Sequence, residues 1–207
     1  DTVVLCVCGF FGRRMVEMAE RAGANVVLLE SEWGVPFPAE MLEAELKKHE
    51  KVKLVATVHA ETSTGVLQPL EDISRLAKDH DSLLMVDAVT SLGGTEVKVD
   101  EIGIDYCYSG TQKCLAAPPG LSPVVVSQRA IETVTSRNTK AASWYLDLAL
   151  ISNWWGKNHV YHHTAPVSNI IGLREGLRII LEEGMDHRIA RHRRNSAALR
   201  AGLKALG

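Results

Sequence analysis

Leu83-Leu84-Met85-Val86-Asp87 is the stretch that decides the fold of this chain. Four apolar residues in a row, without the polar alternation of a half-exposed strand, fit a β-strand buried on both faces. Such a strand needs helices above and below it, and the sequence on either side supplies them. Upstream, Pro69 opens a helical stretch with Leu70, Ile73, Leu76 and Ala77 as its apolar stripe. Before it, residues 52–58 read as a strand. Residues 38–49 read as a helix with Met41, Leu42 and Leu46 inward and a proline in the first turn, where a missing N–H costs least. Residues 25–29 read as a strand, residues 12–22 as a helix with Met15, Val16, Met18, Ala19 and Ala22 on one stripe and Gly23 as its stop, and residues 3–7 as a strand. Downstream, residues 105–108 and 123–127 read as strands and 128–136 as a short helix. An aromatic and apolar stretch at 144–155 and a long helix at 167–183 follow. Gly184 breaks that pattern before a last helix at 186–206. This alternation predicts an α/β fold of three layers, a mostly parallel sheet flanked by helices.

Composition narrows the function classes. At 207 residues the chain fits one substantial domain, or one domain and part of another. A net charge of −2 gives no reason to expect nucleic acid or an anionic membrane as partner. No apolar run approaches the roughly 20 residues of a spanning helix, and no secretory signal is visible at the start. Cys6 and Cys8, two apart in an apolar run, are expected on one face of a strand. Together with Cys107 and Cys114 they read as reduced thiols in a reducing compartment, and no His/Cys grouping has metal-ligand spacing. The chain opens at Asp1 directly on a strand and closes at Gly207 directly after a helical pattern, so both ends read as cut from something longer.

In sheets of this kind ligands sit beyond the carboxyl ends of the strands. Phe11, Thr62, Asp87 and Lys113 each follow a strand run, so they can converge there. Lys113, in Tyr108-Ser109-Gly110-Thr111-Gln112-Lys113-Cys114-Leu115, is badly placed for core packing and well placed for chemistry. A strand-end Asp followed by a strand-end Lys is what an enzyme holding pyridoxal 5′-phosphate needs. The amine forms a Schiff base with the aldehyde, and the carboxylate pairs with the pyridinium nitrogen. By themselves the two residues also fit a surface salt bridge.

The neighbouring motifs shift that balance. Cys8-Gly9-Phe10-Phe11-Gly12-Arg13-Arg14, His59-Ala60-Glu61-Thr62-Ser63-Thr64-Gly65-Val66-Leu67-Gln68-Pro69, Val86-Asp87-Ala88-Val89-Thr90-Ser91-Leu92-Gly93-Gly94, Ser109-Gly110-Thr111-Gln112-Lys113 with Pro118-Pro119-Gly120, and Tyr161-His162-His163-Thr164 occur in order. Together they resemble the class V (fold type I) pyridoxal-phosphate aminotransferases of the alanine–glyoxylate and serine–pyruvate group, over nearly the whole chain.

The resemblance implies a large domain over residues 1–184 and the start of a small domain over 185–207. It implies transamination from alanine or serine to glyoxylate or pyruvate, with Lys113 as Schiff-base lysine and general base. Asp87 would be the partner of the pyridine nitrogen. Phe11 and Val89 would lie on the two faces of the ring, although both also fit ordinary packing. Thr62 would approach the ring oxygen and Gln112 the phosphate. Tyr161 and Thr164 would reach the phosphate of a neighbouring subunit's cofactor, which implies a homodimer.

Glu61, Ser63 and Thr64 also fit turn and cap roles ahead of the helix at Pro69. His162-His163 reads as structural. The basic run Arg188, Arg191, His192, Arg193 and Arg194 reads as a solvated helix surface.

A glycine-containing turn under the cofactor and a substrate-carboxylate arginine fall outside the matched segment. The resemblance therefore assigns activity to a longer parent, and the 207-residue piece need not be active. Two other readings stay open. One is another class V reaction, a lyase or a desulfurase, although desulfurases place a histidine where Gln112 stands and need a mobile cysteine. The other is a non-catalytic fragment that keeps the fold. Relatives occupy the bacterial cytoplasm, peroxisomes or mitochondria, so an intracellular location is expected, cytoplasmic if bacterial and peroxisomal or mitochondrial if eukaryotic.

Overall fold

The computed structural model describes residues 1–207. Its centre is a six-stranded sheet in the order β2-β1-β3-β6-β7-β8. The strands are β1 (Thr2–Val7), β2 (Asn25–Glu30), β3 (Leu54–Val58), β6 (Leu83–Asp87), β7 (Tyr106–Tyr108) and β8 (Val124–Val126). Every pairing is parallel except β7 with β8. The run Leu83–Asp87 lies between β3 and β7, in register with Leu54–Val58 on one side. Both of its faces are covered, as its unbroken apolar sequence requires.

The two cores show the layering. On one face Val4, Cys6, Val55, Leu84 and Val86 pack with Leu42 and Leu46 of α2 (Ala39–Leu46) and with Ile73, Leu76 and Ala77 of α3 (Glu71–Asp79). On the other, Val3, Leu5, Val7, Ala56 and Val58 pack with Met15 and Val16 of α1 (Phe10–Arg21). Alternate residues of β1 thus feed opposite cores, the period of two that a strand imposes.

Three features differ from the sequence expectation. Cys8 lies just beyond the end of β1 rather than in the strand beside Cys6. A two-stranded hairpin, β4 (Ala60–Glu61) and β5 (Val66–Leu67), stands between β3 and α3. A single helical turn, α4 (Val99–Ile102), ends on Gly103 in the left-handed region. Strands of two residues and a helix of four are too short to carry a periodic signal.

The remaining helices are α5 (Gln128–Thr135), α6 (Leu148–Trp155), α7 (Val167–Glu183) and α8 (Met185–Leu206). Gly184, at φ 80°, makes the break between α7 and α8. No helix is long and apolar enough to cross a membrane.

Candidate active site

The parallel strands aim their carboxyl ends at one cleft, lined by Phe11, Arg14, Val58, Ala60, Thr62, Asp87, Val89, Thr90, Gln112 and Lys113. Six of the eight residues selected from sequence therefore come together: Phe11, Thr62, Asp87, Val89, Gln112 and Lys113. Tyr161 and Thr164 do not. They lie exposed on the surface, their hydroxyls 3.2 Å apart.

Asp87 ends β6 and is buried. Its Oδ1 accepts the Val89 N–H at 2.8 Å and its Oδ2 accepts the Tyr108 hydroxyl at 2.7 Å. Burial pushes its pKa above the ordinary carboxylate value. The two hydrogen bonds and the positive charge of Arg14 offset this only in part. The same burial, with Asp87 beside it, pushes the Tyr108 phenol upward, so Tyr108 stays a donor. Tyr108 was missed in the sequence. Its role follows from register, since Tyr108 on β7 pairs directly with Asp87 on β6, and a sequence does not print strand pairing.

Lys113 sits in a tight turn after β7. The Ala116 N–H donates to the Lys113 carbonyl at 2.9 Å, and the Ala117 N–H to the Thr111 carbonyl at 3.0 Å. Thr111 is fully buried, and its hydroxyl donates to the Pro118 carbonyl. Ala116 takes φ 55°, a left-handed conformation that costs an alanine about 1–2 kcal/mol. The Lys113 amine is exposed and forms no salt bridge, unlike the surface lysines Lys47, Lys48 and Lys98.

Phe11 is placed by Glu61. The Glu61 carboxylate is 1% exposed, and its Oε2 accepts the N–H groups of Phe11 at 3.0 Å and Gly12 at 3.1 Å. Its Oε1 accepts from the Ser63 N–H and hydroxyl at 3.0 and 2.7 Å, while Ser63 Oγ accepts the Phe10 N–H at 2.9 Å. Glu61 and Ser63 are indeed cap residues, but for α1 about fifty residues upstream rather than for the helix near Pro69. A carboxylate at this end also suits the helix dipole. Gly9 makes the approach possible, because a Cβ there would lie 2.4 Å from Glu61 Cγ. Arg14, three residues after Phe11, stacks its guanidinium 4.7 Å from the Phe11 ring centroid. That spacing on one helix face was the available sequence signal for Arg14.

The basic run is corrected at Arg188, and in part at His192, which is half-buried with its Nε2 shielded from solvent. Arg188 is buried, not solvated, because its guanidinium finds two backbone carbonyls and Glu183. His162 is also buried, stacked on Trp144 at 4.2 Å with its Nδ1 2.7 Å from that of His163, a packing role. Cys6, Cys8 and Cys107 are buried, and burial raises the thiols of Cys8 and Cys107 to about 11, so they are poor nucleophiles. Cys114 is half-buried, with its Sγ 3.6 Å from the Thr90 carbonyl.

The donor set fits pyridoxal phosphate. An unpaired amine and a buried carboxylate with neutral hydrogen-bond donors share a cleft that also presents an aromatic ring and a branched aliphatic side chain. Comparison with known proteins agrees with this chemistry. The family model described as aminotransferase class-V matches residues 1–207. The (S)-ureidoglycine–glyoxylate transaminase of Bacillus subtilis is 42% identical over 225 residues, covering all of this chain and 54% of that protein. The crystal structure of an alanine–glyoxylate aminotransferase from Nostoc sp. superposes with a TM-score of 0.96 at 45% identity, over 100% of this chain and 55% of that one. A pyridoxamine–pyruvate aminotransferase from Mesorhizobium loti gives a TM-score of 0.91 at 31% identity, over 100% and 53%. The chain spans about half the length of the relatives it matches.

Proposed function

The chain belongs to the class V aminotransferase family, and from that membership we propose that the protein moves an amino group from alanine or serine to glyoxylate or pyruvate with pyridoxal phosphate held in the cleft. One observation carries the reading: Lys113, without an anionic partner, shares the cleft with Asp87, a buried carboxylate that lacks a directly paired cation.

The cofactor supplies an aldehyde that amines bind and a ring that withdraws electrons from the carbon next to that amine. Lys113 Nζ would be the amine that holds the aldehyde. Once an amino-acid substrate had displaced it, the same Nζ would act as the general base that moves the proton from the substrate's Cα to the cofactor's C4′ carbon, the shift that leaves the amino group behind. Asp87 keeps a proton on the pyridine nitrogen by opposing its positive charge, and Tyr108 and the Val89 N–H fix the carboxylate for that task. Phe11 and Val89 would hold the ring from two sides, Thr62 would meet its oxygen and Gln112 the phosphate.

The names of the relatives agree on a small 2-oxo acid as acceptor, glyoxylate or pyruvate, and differ in the donor. Tyr161 and Thr164 serve the phosphate of a second copy's cofactor in a homodimer. The exposed apolar side chains of Trp144, Tyr145, Leu146 and Trp155 near them support a covered surface there. We read α8 as the start of a second domain, and the buried thiols as consistent with an intracellular, reducing compartment.

The test is a panel of amino donors, alanine, serine and ureidoglycine among them, against glyoxylate and pyruvate, run on the protein in its natural full-length form. Turnover with at least one pair, abolished in Lys113→Ala, is expected. Release of sulfide from cysteine in place of transamination would move the protein to the desulfurase reaction, and no turnover at all would leave a non-catalytic fold.

A further inference from the structure

Arg188 has the contacts of a part built for the site, although it belongs to α8. A guanidinium taken out of water needs acceptors for its N–H groups. Arg188 has three: Nε donates to the Gly93 carbonyl at 2.9 Å, Nη2 to the Cys114 carbonyl at 2.5 Å, and Nη1 to Glu183 Oε2 at 2.9 Å. Gly93 lies in the loop that leaves Asp87 and passes Val89, and Cys114 directly follows Lys113. One side chain therefore bridges the two loops that carry the carboxylate and the amine.

A second contact presses on the same turn from α7. Gly176 is buried against the Leu115 carbonyl, and a Cβ there would lie 2.5 Å from that oxygen. The backbone carbonyls of Cys114 and Leu115 are thus held by consecutive helices that meet at Gly184, where Glu183 accepts from both Arg188 and Arg191. The held turn includes Ala116 at φ 55°, a conformation alanine keeps only when its surroundings impose it.

We propose that Arg188 is a positioning residue for Lys113, locking the turn that carries the amine against the loop that leaves Asp87, so that amine and carboxylate keep a fixed relation. The inference rests on the reading of Lys113 as the cofactor amine. It adds that the α7–α8 elbow, outside the cleft, sets where that amine stands.

The experiment uses the natural full-length protein loaded with pyridoxal phosphate. The pH titration of the cofactor's visible absorption band is followed in wild type, Arg188→Met and Arg188→Lys, together with kcat, KM and the melting temperature. Arg188→Met is expected to displace the titration midpoint and to lower kcat by roughly 100-fold, the scale of a misplacement of about 1 Å, with little change in KM. Arg188→Lys, which keeps a cation but gathers its donors on a single nitrogen, is expected to recover part of both. Should Arg188→Met fail to fold, Gly176→Ala, which pushes on Leu115 from the other helix, gives the same signature. A variant that melts earlier yet keeps the wild-type midpoint and kcat overturns the proposal, because a purely structural role behaves that way. A wild-type protein whose loaded cofactor shows no lysine-bound band overturns the Lys113 reading itself, a result distinct from any Arg188 outcome.

Discussion

Asp87 and Asp105 are both buried, one ending β6 and the other just ahead of the neighbouring β7, and they are held in opposite ways. Asp105 enters β7 at the amino-terminal rim of the sheet. It accepts from Arg129 Nη2 at 2.8 Å and Nε at 3.3 Å, from the Ser127 hydroxyl at 2.7 Å and from the Leu84 N–H at 2.9 Å. Burial works against its charge, but the hydrogen bonds from Arg129, Leu84 and Ser127 outweigh burial and hold its pKa below the ordinary value. Asp87 leaves β6 at the carboxyl rim with two neutral donors, and burial wins. The first carboxylate is complete as it stands. The second has no cation in hydrogen-bond contact, only the charge of Arg14 in the same cleft, and under the proposed function a protonated ring nitrogen would supply one. The difference separates a carboxylate paired within the sheet from one that, under the proposed function, would pair with the cofactor.

The strongest way to break this contrast is at the site itself. Lys113→Ala in the full-length protein is expected to cost about 1,000-fold or more in turnover, the upper range for loss of a general base. Asp87→Asn is expected to cost about 100-fold or more, with the melting temperature of the cofactor-free protein no lower than wild type in either case.

Next in size is a stability comparison by urea denaturation of cofactor-free protein. Asp105→Asn removes the buried partner of Arg129, leaving it the exposed Asp81 and the Ser82 carbonyl, and is expected to cost about 2–3 kcal/mol, less than a fully buried pair because Arg129 is partly exposed and keeps these partners. Asp87→Asn is expected to leave stability unchanged or to raise it. The pH dependence has opposite signs. Asp87 has a folded pKa above its unfolded value of 3.8, so its ionisation penalises folding at neutral pH. The advantage of Asp87→Asn then fades as pH falls through the folded pKa towards 3.8. Asp105 has a folded pKa below 3.8, so its contribution is present above that value and is lost as pH falls through the folded pKa. Two parallel curves would contradict the distinction.

Tyr108→Phe sharpens the contrast more gently. It removes one of the two donors on Asp87, and is expected to weaken pyridoxal phosphate binding about fivefold, the worth of one hydrogen bond near 1 kcal/mol. An absorbance titration with the cofactor reads it. The smallest effect is expected at Glu183. Hydrogen bonds from Arg191 and Arg188, against a smaller opposing effect of burial, hold its carboxyl down from 4.5 to about 2. Its contribution to stability is present above pH 4.5 and disappears as pH approaches 2. Thermal melts of wild type and Glu183→Gln should therefore differ at pH 5 and converge at pH 2.

How much of this was legible in the sequence depended on distance along the chain. The parallel strands were legible, because runs such as Leu83–Asp87 have a signature of their own. So were Asp87 and Lys113, because strand ends are where such sheets place ligands. The antiparallel direction of β8 was not, since Val124-Val125-Val126 names a strand without its orientation. Tyr108 depended on register, Glu61 on a helix about fifty residues away, and Arg188 on carbonyls 74 and 95 residues away. The basic run around Arg188 looked like solvated surface because charge is local information and burial is not. Tyr161 and Thr164 carry no local signal for a site, and the fold of one chain keeps them outside the cleft.

Under the proposed function Lys113 and Asp87 form one cofactor site. Reducing the full-length protein with borohydride in the presence of pyridoxal phosphate, then mapping the modified peptide by mass, tests it directly. A single pyridoxyl group on Lys113, greatly diminished in Asp87→Asn, is expected. Labelling spread over surface lysines, or equal labelling of Lys113 in both proteins, would contradict it.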